Sequence, residues 1–281
     1  MARSFDNVVN IENVLAGRRA TVRLPLGPTY DKIHFKLTNV TAAQLTNFKL
    51  ELSGILVSDF ASAALMQSID QYLGRTIESG YFTWHFNEDD VLAELSDGRF
   101  FGLATRGLSS ATISFDIAAG VTDPNIEIFV ERSEPFPAVG QWIRKLRSYP
   151  IQQAAAAFTE TTTLPLTRNP QIPGPGGVMI DQPVYAARYY VQKSDIGDVE
   201  FKVDSVTFFK LPKAVNEYMQ RRYKRVPQAG FNVLDFTLQG DMKQAFPLLP
   251  TIQDYRIKHF AATGGQTVIH VDYYDRFGNP L

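Results

Sequence analysis

Four histidines, His34, His85, His259 and His270, carry imidazoles that can act as a base or a metal ligand near neutral pH. None stands in a His-Glu-x-x-His or comparable ligand pair. Each falls in a strand-like stretch, so all four read as ordinary strand positions. No Gly-x-Ser-x-Gly supplies a nucleophile elbow. The chain has no cysteine, which removes disulfides, thiolate metal sites and cysteine catalysis. Gly174-Pro175-Gly176-Gly177 lacks a following Gly-Lys-Ser/Thr, and its prolines take away the amide donors a phosphate cradle needs. It reads as a connecting loop. Glu51 and Asp204 could pair as a glycosidase acid and base. They occupy matching places in two copies of one pattern, which makes them repeat residues and not partners in one site. Glu88-Asp89-Asp90 could offer carboxylate oxygens to calcium. It lacks the EF-hand pattern and reads as a solvated turn. Arg221, Arg222, Lys224 and Arg225 form a basic helix end that suits the helix dipole, with lipid headgroups or a neighbouring subunit as the other takers. No catalytic, cofactor-binding or metal-binding residue is assigned, and calcium is the one ion left in view.

The elements that carry these residues are short and mostly extended. Thr21-Val22-Arg23-Leu24, residues 32–37, 112–117 and 125–130 alternate apolar and polar side chains, the period of a half-buried strand. Residues 185–192, 199–209, 231–238, 255–260 and 267–274 are further strand candidates. Two helical segments interrupt them, at 59–74 and 212–225. Turn signals recur every ~8–12 residues, the mark of an all-β sandwich or barrel. Ile11 to Ala16 could form one or two helical turns ending at Gly17. Trp142, Ile143, Leu146 and Tyr149 recur at helical spacing until Pro150, with Arg144, Lys145 and Arg147 opposite, so 136–153 reads as a linking helix. It packs between two domains on this reading, with contact at a bilayer surface as the alternative.

The second half repeats the first. Phe48-Lys49-Leu50-Glu51-Leu52-Ser53, a helix, then Glu78-Ser79-Gly80-Tyr81-Phe82 and an acidic turn are matched by Phe201-Lys202-Val203-Asp204-Ser205, a helix, then Gln228-Ala229-Gly230-Phe231 and Gln239-Gly240-Asp241. Leu24-Pro25-Leu26 pairs with Leu164-Pro165-Leu166, and Ser114-Phe115-Asp116 with His270-Val271-Asp272. A repeat this long is a duplicated domain, not a solenoid unit. At 281 residues the chain has room for two cores. The expected organisation is an amino-terminal arm (1–20), a first jelly roll (21–135), a linker helix (136–153) and a second jelly roll (154–281). Each is an eight-stranded all-β barrel with one helix inserted. The arm is expected to fray or to dock on a partner.

A hydrophobic share of 44% places the chain among globular proteins, not disordered ones. A net charge of −1 gives no global pull toward nucleic acid. The sequence reads as lacking a signal peptide or a membrane-spanning run, which implies synthesis in the cytoplasm.

Arg3-Ser4-Phe5, Asn10-Ile11, Ala16-Gly17, Leu24-Pro25-Leu26-Gly27, Thr29-Tyr30, Val40-Thr41 and Glu51-Leu52 form an ordered set. It continues with Asp198-Val199-Glu200-Phe201, Asp235-Phe236-Thr237-Leu238, Gly240-Asp241 and Ile252-Gln253-Asp254. Taken together with the repeat, the set resembles the major capsid proteins of tailless, membrane-containing icosahedral bacteriophages of the corticovirus type. The resemblance implies a double jelly roll and a homotrimeric, pseudo-hexagonal capsomer without catalysis. It further implies a virion shell over an internal lipid membrane touched peripherally, with penton and minor capsid or membrane proteins as partners and no sequence-specific nucleic acid binding. The arm, with Arg18 and Arg19, would face inward. The Pro/Gly-rich stretch 169–183 is longer than the family leads one to expect. The alternative is a tandem jelly-roll module, lectin-like or a viral spike, that binds glycans or a receptor through exposed Trp84, Tyr81 or Tyr185. A jelly-roll hydrolase would need a metal or acid/base constellation that the sequence does not display.

Overall fold

The structure, a computed structural model, describes residues 4–8, 11–88, 101–135, 137–138, 140–153, 157–162, 171–173, 179–181, 184–249, 252 and 254–277. The chain divides into two compact units, one built on residues 1–145 and the other on residues 146–275.

The first unit carries β1 (Ser4–Val8), β2 (Ile11–Glu12), β3 (Arg19–Arg23), β4 (Thr29–Thr38), β5 (Leu45–Leu52), β6 (Ile55–Ser62), α1 (Ala63–Tyr72), β7 (Tyr81–His85), β8 (Leu103–Ala104), β9 (Ala111–Ile117) and β10 (Asn125–Ser133). One sheet has the order β1-β10-β4-β7, with β8 beside β4, and the other β2-β3-β9-β5-β6. Leaving out the short β2 and β8, the first sheet takes the first, eighth, third and sixth strands of the chain. The second takes the second, seventh, fourth and fifth. That interleaving is a jelly roll. Its driving force is visible in β4 and β9, where strict alternation buries Ile33, Phe35 and Leu37 on one strand and Ile113, Phe115 and Ile117 on the other. Rings interlock across the two sheets. Phe48 stacks on Phe60 and on Phe115, each at 4.8 Å, and meets Phe35 edge-on at 6.0 Å. Trp84 stands edge-on to Phe60 at 4.8 Å. Such pairs contribute roughly 0.5–1.5 kcal/mol each beyond their burial.

The second unit repeats this path with β11 (Trp142–Gln153), β12 (Ala157–Thr162), β13 (Gln171–Pro173), β14 (Met179–Asp181), β15 (Val184–Gln192), β16 (Ile196–Val203), β17 (Val206–Leu211), α2 (Lys213–Arg222), β18 (Phe231–Asp235), β19 (Phe246–Leu248), β20 (Tyr255–Ala261) and β21 (Gly265–Arg276). Its sheets run β11-β21-β15-β18, with β19 beside β15, and β12-β20-β16-β17, while β13 and β14 pair as a separate ribbon. The interleaving is the same as in the first unit. The core is Tyr189, Val191, Phe201, Ile257, Ile269 and Val271 with their neighbours. The chain is therefore two jelly rolls in tandem.

The helices sit at the same point of each unit and end alike. Ser62 caps α1 by accepting from the Leu65 amide at 3.2 Å. Pro212 has no such side chain, and Asp198 accepts from the Lys213 amide at 2.8 Å instead. At the carboxyl ends, Arg75 N–H reaches Asp70 O at 2.9 Å and Arg225 N–H reaches Gln220 O at 3.0 Å. Gly74 (φ 77°) and Lys224 (φ 63°) hold the left-handed position between them.

Several expectations are corrected. Residues 142–153 form a strand, not a linking helix. The helical spacing of Trp142, Ile143, Leu146 and Tyr149 misleads because Arg144 and Lys145 are themselves buried, so no polar face exists. Pro150 is tolerated because β11 lies at the edge of its sheet. Ile11 and Glu12 pair with Val22 and Thr21 of β3, and no helical turn forms before Gly17. The strand expected over 199–209 is a hairpin, turning at Asp204 and Ser205 with φ 46° and 72°. The amino-terminal segment is also structured: β1 pairs along β10 of its own unit from Ser4 to Val8.

Candidate functional site

The registers reveal one charged position built twice. In the first unit Glu131 lies opposite Lys32, and Lys32 opposite His85. In the second, Asp272 lies opposite Arg188, and Arg188 opposite Asp235. These rows lie on the face of each sheet that points away from the sandwich core. In the second unit the row is fully buried: Arg188 reaches Asp272 at 3.1 Å and Asp235 at 3.4 Å. Arg225, just past α2, adds a 3.2 Å contact to Asp235 and donates to the Thr237 carbonyl at 3.3 Å. The counterpart of Arg225 is Arg75, which holds Asp70 at 2.7 Å and Glu88 at 3.5 Å. Arg144 completes that group at 3.3 Å from Glu88. Buried charges gathered this way balance, two arginines against two carboxylates in each unit, and fix geometry more than they add stability. They are locks between helix end and sheet, not a reaction centre.

The correspondence of Ser114-Phe115-Asp116 with His270-Val271-Asp272 does not hold. The first triplet lies in β9 and the second in β21, whose counterpart is β10, so Asp272 matches Glu131. Asp204 matches Ser53, not Glu51. Each holds the hairpin turn, and each side chain accepts an amide, Asp254 N–H at 3.0 Å and Ser109 N–H at 3.0 Å. Leu164-Pro165-Leu166 lies outside the described residues.

The remaining candidates disperse. His34 bonds Thr83 at 3.0 Å and Glu131 at 3.1 Å. His85 is kept neutral, its pKa lowered by burial and then by Arg75. His270 sits between Ser148 and Gln192, each at 2.7 Å. His259 is enclosed in the second core, and burial pushes its pKa down to about 4. All four lie in strands. Glu88 is not in a solvated turn, because Arg75 and Arg144 neutralise it in a buried site. Asp89 and Asp90 lie outside the described residues, as does most of the stretch 169–183. Among the described residues, no group of three His, Asp or Glu is placed to hold a metal ion. Trp84 is core, not a glycan platform, whereas Tyr81 is exposed and Tyr185 half-buried. Trp142 lies in β11 beneath the Arg276 guanidinium at 5.0 Å. Of the basic helix end, Arg221 pairs with Glu217 at 2.9 Å and Arg222 donates to the Tyr218 hydroxyl at 3.2 Å, while Arg225 is buried. Among the described residues no helix is long and apolar enough to cross a membrane.

What remains accessible is apolar surface. β17 and α2 expose Val206, Phe208, Val215, Tyr218 and Met219, while the side chains α2 buries are the polar Asn216 and Gln220. Asn216 and Gln220 each donate to the Val233 carbonyl at 2.8 Å, so polar bonds hold the helix to its sheet and its apolar face is left outside. Sequence periodicity marks the helix but does not say which of its faces meets the barrel.

Comparison with known proteins gives this architecture a family. The viral coat protein P2 N-terminal domain model matches residues 6–133 and the viral coat protein P2 C-terminal domain model matches residues 143–277. The major capsid protein P2 of Pseudoalteromonas phage PM2 is 29% identical over 276 residues, covering 96% of each chain. The crystal structure of the major capsid protein P2 from bacteriophage PM2 superposes with a TM-score of 0.88 at 27% identity, covering 99% of this chain and 98% of that one. The crystal structure of the STIV MCP shares the fold at a TM-score of 0.66 and 12% identity, over 99% of this chain and 98% of that one. The glycan-binding alternative has no support among these relatives. The chain belongs to the viral coat protein P2 family and is a structural protein of a virus capsid, not an enzyme.

Proposed function

We propose that this chain forms the main shell of an icosahedral bacteriophage as a homotrimer whose six jelly rolls give a capsomer of nearly hexagonal outline. The observation that carries the reading is the duplication itself: both units have the same strand order and the same helix position. Three such chains present six similar barrels, so a threefold object fills a sixfold place in a lattice. Trimers close through heterologous contacts, in which one surface meets a different surface of the next copy. Obligate interfaces of this kind bury roughly 2,000–5,000 Å². The resemblance to membrane-containing phages supports the rest of the reading. The shell lies over an inner lipid membrane touched peripherally, penton and minor capsid or membrane proteins are its other partners, and the chain is made in the cytoplasm of the host bacterium.

Negative-stain images of the purified protein test the capsomer. Particles of pseudo-hexagonal outline are the expected result, and isolated monomers at every concentration would overturn it. Flotation with anionic vesicles tests the membrane contact, and failure of assembled shells to float would remove the lipid from the reading.

A further inference from the structure

Each unit hides one of two equivalent surfaces and bares the other. In the first unit α1 packs on β5, β6 and β7 and buries Leu65, Met66, Ile69 and Tyr72, and edge strand β6 buries Val57, leaving Ile55 exposed at its hairpin end. The equivalent β17 and α2 stand open, with Val206 and Phe208 each 58% exposed and Tyr218 54%. The outer sheet faces show the opposite imbalance. In the second unit that face is closed, since Arg188, Tyr190, His270 and Asp272 are all buried. In the first unit it is open. Phe5 is 73% exposed, Tyr81 41% and Phe129 36%. The strand registers put these three on one face with Glu127, Glu131 and Lys36.

The charges divide the same way. Residues 1–145 hold 13 Lys/Arg against 17 Asp/Glu, a net of −4, and residues 146–281 hold 15 against 12, a net of +3. The open face of the second unit carries Lys210 and Arg221 beside its apolar side chains, both exposed, Lys210 paired with Glu200 at 3.7 Å and Arg221 with Glu217 at 2.9 Å. One chain thus offers an apolar surface on a basic unit and a different apolar surface on an acidic unit. That is the requirement for a heterologous contact, and opposite charge also steers the encounter.

We infer that the β17–α2 face of one copy seats on the outer face of the β1-β10-β4-β7 sheet of a second copy, and that this contact, repeated, closes the ring. The inference rests on the trimer reading and adds to it which surfaces meet. It predicts that Val206 and Tyr218 on one side, and Phe5 and Phe129 on the other, become buried on assembly, while neither surface pairs with itself.

The test uses the full-length chain in two double variants, Val206→Glu/Tyr218→Glu and Phe5→Lys/Phe129→Lys, with Leu26→Glu as a control on an exposed apolar residue outside both faces. Solution mass is measured by light scattering, and folding by thermal unfolding. The expected result is a trimeric wild type and control, and folded monomers for each double variant. Mixing the two variants in equal amounts should restore one good contact and give heterodimers that cannot close. A wild-type trimer with both variants still trimeric overturns the assigned surfaces and leaves the trimer standing. A wild-type monomer overturns the trimer reading itself. Should either double variant unfold, the single substitutions Tyr218→Glu and Phe129→Lys carry the same mixing test.

Discussion

Arg188 and Asp272 face each other in register across β15 and β21, Nη1 to Oδ2 3.1 Å, with both side chains buried. Lys32 and Glu131 hold the same place in the other unit, at 3.9 Å and partly exposed. One duplicated position has become a buried lock in one barrel and a half-open pair in the other. Removing Asp272 leaves Arg188 and Arg225 to share the Asp235 carboxylate, an excess of buried positive charge that costs about 3–5 kcal/mol. Asp272→Ala should therefore lower the denaturant midpoint by a large margin. Glu12→Gln, in the exposed pair with Arg23, should leave it unmoved. Equal effects of the two changes would show that the buried network does not order the second barrel.

The pH dependence has a definite sign. Burial holds both His259 and His270 down to about 4 in the fold, against about 6.5 for an unfolded histidine. Between those values the unfolded chain takes up protons that the folded chain refuses. Stability from these groups is fully present above about pH 6.5 and drains away as pH falls toward 4, on the order of 3 kcal/mol per histidine. His259→Leu removes one titrating group from an apolar core and should flatten the fall in melting temperature from about pH 7 to about pH 5. An unchanged slope would exclude His259 as a source.

Phe48 touches Phe35, Phe60, Phe82, Trp84 and Phe115, with centroids between 4.8 and 6.3 Å. Phe48→Ala empties the middle of the first sandwich and should cost about 3–5 kcal/mol. Chemical denaturation measures it, and a loss below about 1 kcal/mol would mean that the cluster collapses into the space.

Lys224 takes the left-handed position that Gly74 holds in the other unit. Lys224→Gly should relieve that conformation and raise stability by up to about 1 kcal/mol. A destabilised variant would show that the lysine side chain supplies more than the backbone strain costs.

The duplication is legible because it rests on local signals. Alternation in β4, β9 and β10, the turn residues Ser53-Gly54 and Asp204-Ser205, and Gly80 and Gly230 before β7 and β18 recur in order. The helix wrongly expected over 136–153 shows where local reading stops. Arg144 and Lys145 look like a solvent face, but both are buried, Arg144 against Glu88, a partner far away in sequence. The mismatch of Asp116 with Asp272 has the same origin, since strand order, not residue similarity, decides which positions are equivalent. α2 inverts the usual rule by burying Asn216 and Gln220, and the Val233 carbonyl they share, with the Asn232 side chain that Asn216 also reaches, explains why. An apolar helix face turned outward has no one-chain signature, because what covers it is not in the chain's own fold.

The most direct measurement is the solution mass of the full-length protein, by light scattering during size exclusion, followed through dilution. The account predicts a discrete species of three times the 31.5 kDa of one chain that persists at the lowest concentration. A stable monomer throughout would contradict it, leaving the open faces of β17–α2 and β1-β10-β4-β7 without a second copy to cover them.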